Sequence, residues 1–153
     1  MRFRMLAVGP RQTAWVNEGF EEYRRRLPGL QLVELPLGRH GKGRSATAAR
    51  DEEGERLLAR IAPGTHVVAL QVRGAALDTP ALAQRLAAWL AIGQPVDFLI
   101  GGPEGLSPAC SARAAEAWSL SALTLPHGLA RVVAAEALYR AWSVHQGHPY
   151  HRG

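Results

Sequence analysis

The chain is short of several things, and each shortage excludes a class of protein. Cys110 is the only cysteine in 153 residues, so no internal disulfide framework holds the fold. No apolar run approaches the roughly 20 residues that span a bilayer as a helix. Met1-Arg2-Phe3-Arg4-Met5 leads straight into a strand-like run and lacks the apolar region and small-residue cleavage site of a signal peptide. A cytoplasmic protein is expected. Lys42 is the only lysine. Acid is scarce late in the chain: after Asp97 only Glu104, Glu116 and Glu136 remain, and from Ala137 onward there is none. That last stretch carries Arg140, Arg152 and three histidines.

What remains is enough for one domain with a real core. A hydrophobic content of 47% with 20% charged residues is that of a globular chain. The formal net charge of +5 favours a polyanionic partner such as RNA, although an arginine-rich composition alone gives the same sign.

Residues 2–8 read as a strand stopped by Gly9-Pro10. Thr13 is placed to cap a helix carrying Trp15, Val16, Phe20, Tyr23 and Leu27 on one face. Residues 30–37 form a second strand, 38–45 a basic glycine-rich loop, and 48–61 a polar helix anchored through Leu57, Leu58 and Ile61. Residues 66–72 form a third strand, followed by a loop through Arg73, Gly74 and Asp78. Thr79-Pro80, a capping hydroxyl and then proline, starts a helix that runs to about Ala91. Residues 95–100 form a fourth strand, apolar except for Asp97. Ser107-Pro108 opens a short helix to about Ala117, residues 120–125 form a fifth strand, and residues 129–146 the last helix. This alternation predicts an α/β fold, a mainly parallel sheet with flanking helices, in a single domain over residues 1–153. The last helix is apolar around nearly its whole circumference. Such a helix is buried on all sides, and a second copy of the chain is the cheapest cover.

Ligands of open α/β sheets bind at the carboxyl ends of strands, which singles out two loops. Gly101-Gly102-Pro103-Glu104-Gly105 follows an apolar strand, and glycines let backbone N–H groups approach a ligand closely; a tight turn is the plainer reading. Residues 119–127 form the other loop. Residues 38–45 come near a phosphate-binding P-loop, but Arg44 stands where that loop needs lysine, and no strand ends in an aspartate for magnesium. Arg39, Lys42 and Arg44 suit RNA phosphates better, with a mobile surface loop as the alternative. His145, His148 and His151 are evenly spaced, but Pro149 breaks the helix and no carboxylate lies nearby, so no metal is expected. Cys110 reads as a small buried residue. Glu136 and Arg140 sit one turn apart in the favourable order, as a structural ion pair or with Arg140 facing a ligand.

Three segments together, I-G-G-P-E-G-L-S-P from Ile100 to Pro108, the run from Ser119 to His127, and the ending H-P-Y-H-R, resemble the SPOUT superfamily of methyltransferases. Within it they are similar to bacterial enzymes that methylate the N3 atom of a pseudouridine in 23S ribosomal RNA. The resemblance extends over the whole chain. It implies a C-terminal trefoil knot, S-adenosylmethionine as cofactor, a homodimer, and assembled ribosomes as substrate, with no metal and no membrane. It also implies that Leu70, Gly102 and the loop Ser121, Ala122, Leu123, Thr124, Leu125 and Pro126 surround the cofactor. The chemistry then makes Arg152 the candidate to stabilise an imide anion or phosphate and His151 the proton acceptor. Tyr150 is the candidate to stack on or hydrogen-bond the base, and Arg140 a weaker one for the same site. A SPOUT enzyme acting on transfer RNA and a non-catalytic RNA-binding module are the alternatives.

Overall fold

The computed structural model describes residues 1–152, the side chain of Arg152 excepted. In chain order it contains β1 (Phe3–Val8), α1 (Ala14–Arg26), β2 (Leu30–Leu35), α2 (Ala46–Arg60), β3 (His66–Ala76), α3 (Thr79–Ile92), β4 (Val96–Ile100), α4 (Pro108–Arg113), β5 (Glu116–Ser119) and α5 (His127–Gln146), then a 3₁₀ turn, Pro149–Arg152. The five strands form one sheet in the order β2-β1-β4-β3-β5. Every pairing is parallel, as the strand–helix alternation predicts.

A parallel sheet is covered on both faces, so its strands read as continuous apolar runs. Phe3, Met5 and Ala7 of β1 and Val96, Phe98 and Ile100 of β4 face one core, with Phe20 of α1, Leu86 and Trp89 of α3 and Leu138 of α5. Leu6, Val8 and Leu99 face the other, with Leu57 of α2 and Cys110 of α4. Asp97 is the polar exception and is wholly buried. It stands directly across from Arg4 in the β1–β4 register and takes two hydrogen bonds from that guanidinium, at 2.9 and 2.7 Å. Cys110 is buried as expected, and burial pushes its thiol pKa up.

Several expectations need correction. The fifth strand is Glu116–Ser119, not 120–125. The Ala115 N–H donates to the Val67 carbonyl at 2.8 Å, which ends α4 early and draws the next residues onto β3. Residues 122–124 are exposed loop. β3 continues to Ala76, with a slip in register between Leu70 and Ala75 against Trp118. Gly74 makes this possible, since a Cβ there would stand 2.6 Å from the Trp118 backbone. β2 stops at Leu35, where Pro36 brings no N–H to extend a ladder. Asp78, not Thr79, caps α3 by accepting the Ala81 N–H at 2.9 Å, and Thr13 makes no side-chain cap bond. Trp15 is 63% exposed rather than packed.

α5 is not buried all round within one chain. Ala134, Ala135, Leu138 and Ala141 are buried, while Leu129, Val133 and Ala137 stay partly exposed. α5 packs alongside α1 in the same direction: a Cβ on Gly128 would press on Val16, and one on Gly19 would meet Val132.

Candidate active site

The parallel strands all run toward one edge, and there the slipped middle of β3 and the loops after β4 and β5 surround a cavity of about 560 Å³. Leu70, Gln71 and Val72 come from the slipped segment of β3. Ile100 to Pro103, with Gly105 and Leu106, come from the glycine turn, and the third wall runs from Ser119 to His127, Ala122 excepted, with Ala130 behind it. The volume lies within the usual ligand-site range of roughly 300–1,000 Å³. The structure thus brings Leu70, Gly102, Ser121, Leu123, Thr124, Leu125 and Pro126 together; Ala122 is on the same loop but off the wall.

Each wall has a local cause. In the glycine turn the Gly105 N–H donates back to the Gly102 carbonyl at 3.0 Å. Gly105 takes φ +78°, a conformation that favours glycine. A Cβ on Gly101 would come 2.5 Å from the Gly105 backbone. Gly102 lines the cavity and also backs onto α2: a Cβ there would stand 2.7 Å from the Glu53 carboxylate. In the third loop the Ser121 hydroxyl accepts the Leu123 N–H at 2.9 Å, and Ser119 donates to the Ser121 carbonyl at 3.1 Å. α5 then starts at the cavity with Pro126 as its cap residue and no side-chain cap bond. Its first N–H groups are left for an acceptor such as a carboxylate.

The basic loop sits on the same edge, after β2. Its stem is held by α2: Arg56 donates to the carbonyls of Pro36 and Leu37 at 3.1 and 2.7 Å. Glu52 pairs with Arg39 at 3.4 Å, Arg44 at 2.8 Å and Arg56 at 2.6 Å. The Arg39 N–H and these three charges hold the Glu52 carboxyl below its ordinary range. Two of the three cations assigned to RNA therefore already have a carboxylate. Lys42 makes no salt bridge among the described residues, and it lies between Gly41 and Gly43, both at positive φ.

The tail residues are not brought to the cavity within one chain. The Tyr150 ring packs edge-on against Tyr139 at 4.6 Å, and its hydroxyl donates to Glu136 at 3.3 Å. Arg140 pairs with Glu136 at 2.8 Å and lies 5.0 Å over the Tyr150 ring. Burial, then Tyr23 and Glu136, raise the Tyr150 phenol well above its ordinary pKa, so it is a proton donor at neutral pH. His151 Nδ1 lies 2.7 Å from the His148 carbonyl, which places hydrogen on Nδ1 and leaves Nε2 as acceptor. The Arg152 side chain lies outside the described residues. No metal-holding group of side chains occurs among the described residues, and none of their helices is long and apolar enough to cross a membrane.

Two buried charges escaped the sequence reading. Arg131 on α5 is 1% exposed; one nitrogen pairs with Glu34 at 2.6 Å while Nε and Nη2 have no partner among the described residues. Glu53 on α2 is 2% exposed with Oε1 unpartnered. Spacing held a signal for both. Glu53 falls on the Ala49–Leu57 stripe of α2, and Arg131 interrupts the apolar surface of α5.

A five-stranded parallel sheet with a cavity at its carboxyl edge is an α/β fold of the kind whose ligands bind at that edge. The family model described as "Predicted SPOUT methyltransferase" matches residues 1–151, and the chain belongs to the SPOUT methyltransferase family. It is 56% identical over 155 aligned positions, covering 99% of each chain, to the ribosomal RNA large subunit methyltransferase H of Alkalilimnicola ehrlichii. A more distant likeness, at 16% identity and TM-score 0.47, is to the crystal structure of the SpoU methyltransferase AviRb from Streptomyces viridochromogenes in complex with the cofactor AdoMet. It covers 91% of this chain and 57% of that one.

Proposed function

We propose that the chain transfers a methyl group from S-adenosylmethionine to the N3 atom of a pseudouridine in 23S ribosomal RNA, on assembled ribosomes, as a cytoplasmic homodimer of single-domain subunits. The observation that carries this is the cavity, two of whose walls are the Ile100–Pro108 and Ser119–His127 motifs that resemble those enzymes, in a chain 56% identical along its length to one named for that RNA. The cavity fits the cofactor: it has the volume of a nucleoside-sized ligand, walls of glycine backbone and apolar side chains, and uncapped helix N–H groups for a carboxylate.

S-adenosylmethionine, when bound, supplies a methyl group already activated on sulfur, and no metal is required. Leu70, Gly102 and the loop from Ser121 to Pro126 hold it. The target imide nitrogen carries a proton that must leave before nitrogen attacks. His151 Nε2 takes that proton. Arg152 stabilises the charge left on the base or holds a neighbouring phosphate. Tyr150 remains a phenol and hydrogen-bonds or stacks on the base, with Arg140 and Glu136 holding its ring and hydroxyl in place. Arg39, Lys42 and Arg44 contact phosphates. The second subunit covers the partly exposed side of α5 and brings its own tail to this chain's cavity.

The test is methylation of 70S particles, separated subunits and transfer RNA, with the product nucleoside identified by mass spectrometry. N3-methylpseudouridine from 70S particles is expected. A methylated transfer RNA with unmodified ribosomes would replace this substrate by the alternative one.

A further inference from the structure

Glu53 is placed between the two loops assigned above to different ligands. Its Oε2 accepts the Gly38 N–H, at the stem of the basic loop, at 2.9 Å. Its Oε1 has no partner among the described residues and lies 2.7 Å from where a Cβ on Gly102 would stand. The helix α2 is packed closely on both sides, against backbone on one and against a side chain on the other. A Cβ on Gly38 would strike the Ala49 carbonyl of α2 at 2.1 Å, and one on Gly54, the next residue of α2, would strike the Ser107 hydroxyl at 2.2 Å. α2 thus lies close against the stem of the basic loop on one side and against Ser107, the cap of α4 just beyond the glycine turn, on the other. A carboxylate oxygen removed from water without a partner is costly, and an apolar residue would fill the same stripe of the helix without that cost.

We infer that Glu53 is a positioning residue: its carboxylate sets the place of the glycine turn that lines the cavity and ties that turn to the basic loop. It touches neither the cavity nor the reacting atoms, and it acts through Gly102 on one side and Gly38 on the other. This rests on the cofactor reading of the cavity. A side chain at 102 would press on the carboxylate behind the turn and oblige it to shift from its bond to Gly38, so the two positions depend on each other.

Isothermal titration of the full chain with S-adenosylmethionine tests this in Glu53→Ala, Glu53→Gln and Gly102→Ala, and in Gly102→Ala combined with each Glu53 variant. Hydrogen exchange at the Gly38 amide is read in the free proteins. Glu53→Ala and Gly102→Ala should each weaken binding about tenfold, and the Ala/Ala double should stay within about twofold of Glu53→Ala, because the new methyl enters space the carboxylate has left. Glu53→Gln should keep affinity within about threefold and keep Gly38 protected, since its amide oxygen still accepts and its volume is unchanged. Gly102→Ala should remain as damaging in the Gln background as in the wild type, which tests the steric dependence even where Glu53→Ala fails to fold. Additive losses of about a hundredfold in the Ala/Ala double, wild-type affinity in Glu53→Ala, or a Gln variant as poor as Ala would each overturn the inference. Gly38 exchange unmoved by Glu53→Ala would overturn the tie to the basic loop. A wild-type chain that takes up no S-adenosylmethionine would instead sink the cofactor reading itself, and the exchange result would still decide the tie.

Discussion

The proposal that each active site is shared between two chains can be tested by mixing two broken subunits. α5 is 20 residues long, which places its last turn about 30 Å from the cavity at its first. Tyr150 rests on Tyr139, roughly 18 Å along the axis from His127 at the helical rise per residue. Drawn out straight, the six steps from Gln146 to Arg152 cover at most about 22 Å, short of the roughly 28 Å back to His127. On the proposed reading, the tail that serves a cavity belongs to the other chain. Ala130→Trp places an indole in the wall where Ala130 lines the cavity and should abolish cofactor binding. Arg152→Ala removes the cation of the tail. Each homodimer should be inactive. In a heterodimer purified through two different tags, one site joins an intact cavity to an intact tail. Activity should return to about half of the wild type per dimer, with one cofactor bound per two chains. If each chain worked alone, both sites of the heterodimer would stay broken. Clean heterodimers that bind one cofactor yet methylate no ribosomes refute the shared site.

Three further outcomes are expected. Arg4→Leu strands the fully buried Asp97 carboxylate and should cost about 3–5 kcal/mol in urea unfolding; adding Asp97→Asn should recover most of it, and a loss under about 1 kcal/mol in the single variant would contradict the pairing. Replacing Arg39, Lys42 and Arg44 with alanine should flatten the log–log salt dependence of ribosome binding by about 2, at roughly 0.7–0.9 per phosphate contact, with cofactor affinity unchanged. Lys42→Ala alone should lower the slope by about 0.7–0.9, the largest single share, because Glu52 competes for the other two cations; an unaltered salt slope would reduce the loop to a connector. Glu116 is pushed up by burial but pulled further down by hydrogen bonds from Arg85, Trp89 and His66, leaving its carboxyl below the ordinary 4.5. Because the folded pKa is the lower one, its contribution is full above about pH 4.5 and is lost as pH falls through the folded value. Glu116→Gln should flatten the acid side of the stability–pH curve, and an unchanged acid limb would show that the network contributes nothing there.

The sequence by itself determined the layer architecture. Apolar runs in residues 2–8, 66–72 and 95–100, each followed by a helical pattern, specify a buried parallel sheet, because only covered strands are apolar on both faces. It also singled out the two loops that wall the cavity after β4 and β5, since glycine runs and hydroxyl loops at strand ends are local features. Tertiary structure decided the rest. Short β5 was hidden because four residues carry no period, and its place is set by Val67 and Trp118, far away in sequence. The close contact behind Gly102 comes from Glu53 on a helix far away in sequence, and the partial neutralisation of the basic loop comes from Glu52 beside it. Neither contact leaves a trace in local composition. The separation of tail from cavity follows from the length of α5, legible in the sequence, but it acquires meaning only once the fold puts the cavity at that helix's first turn. Coulombic and steric relations between residues distant in the chain exist only after the chain has closed on itself.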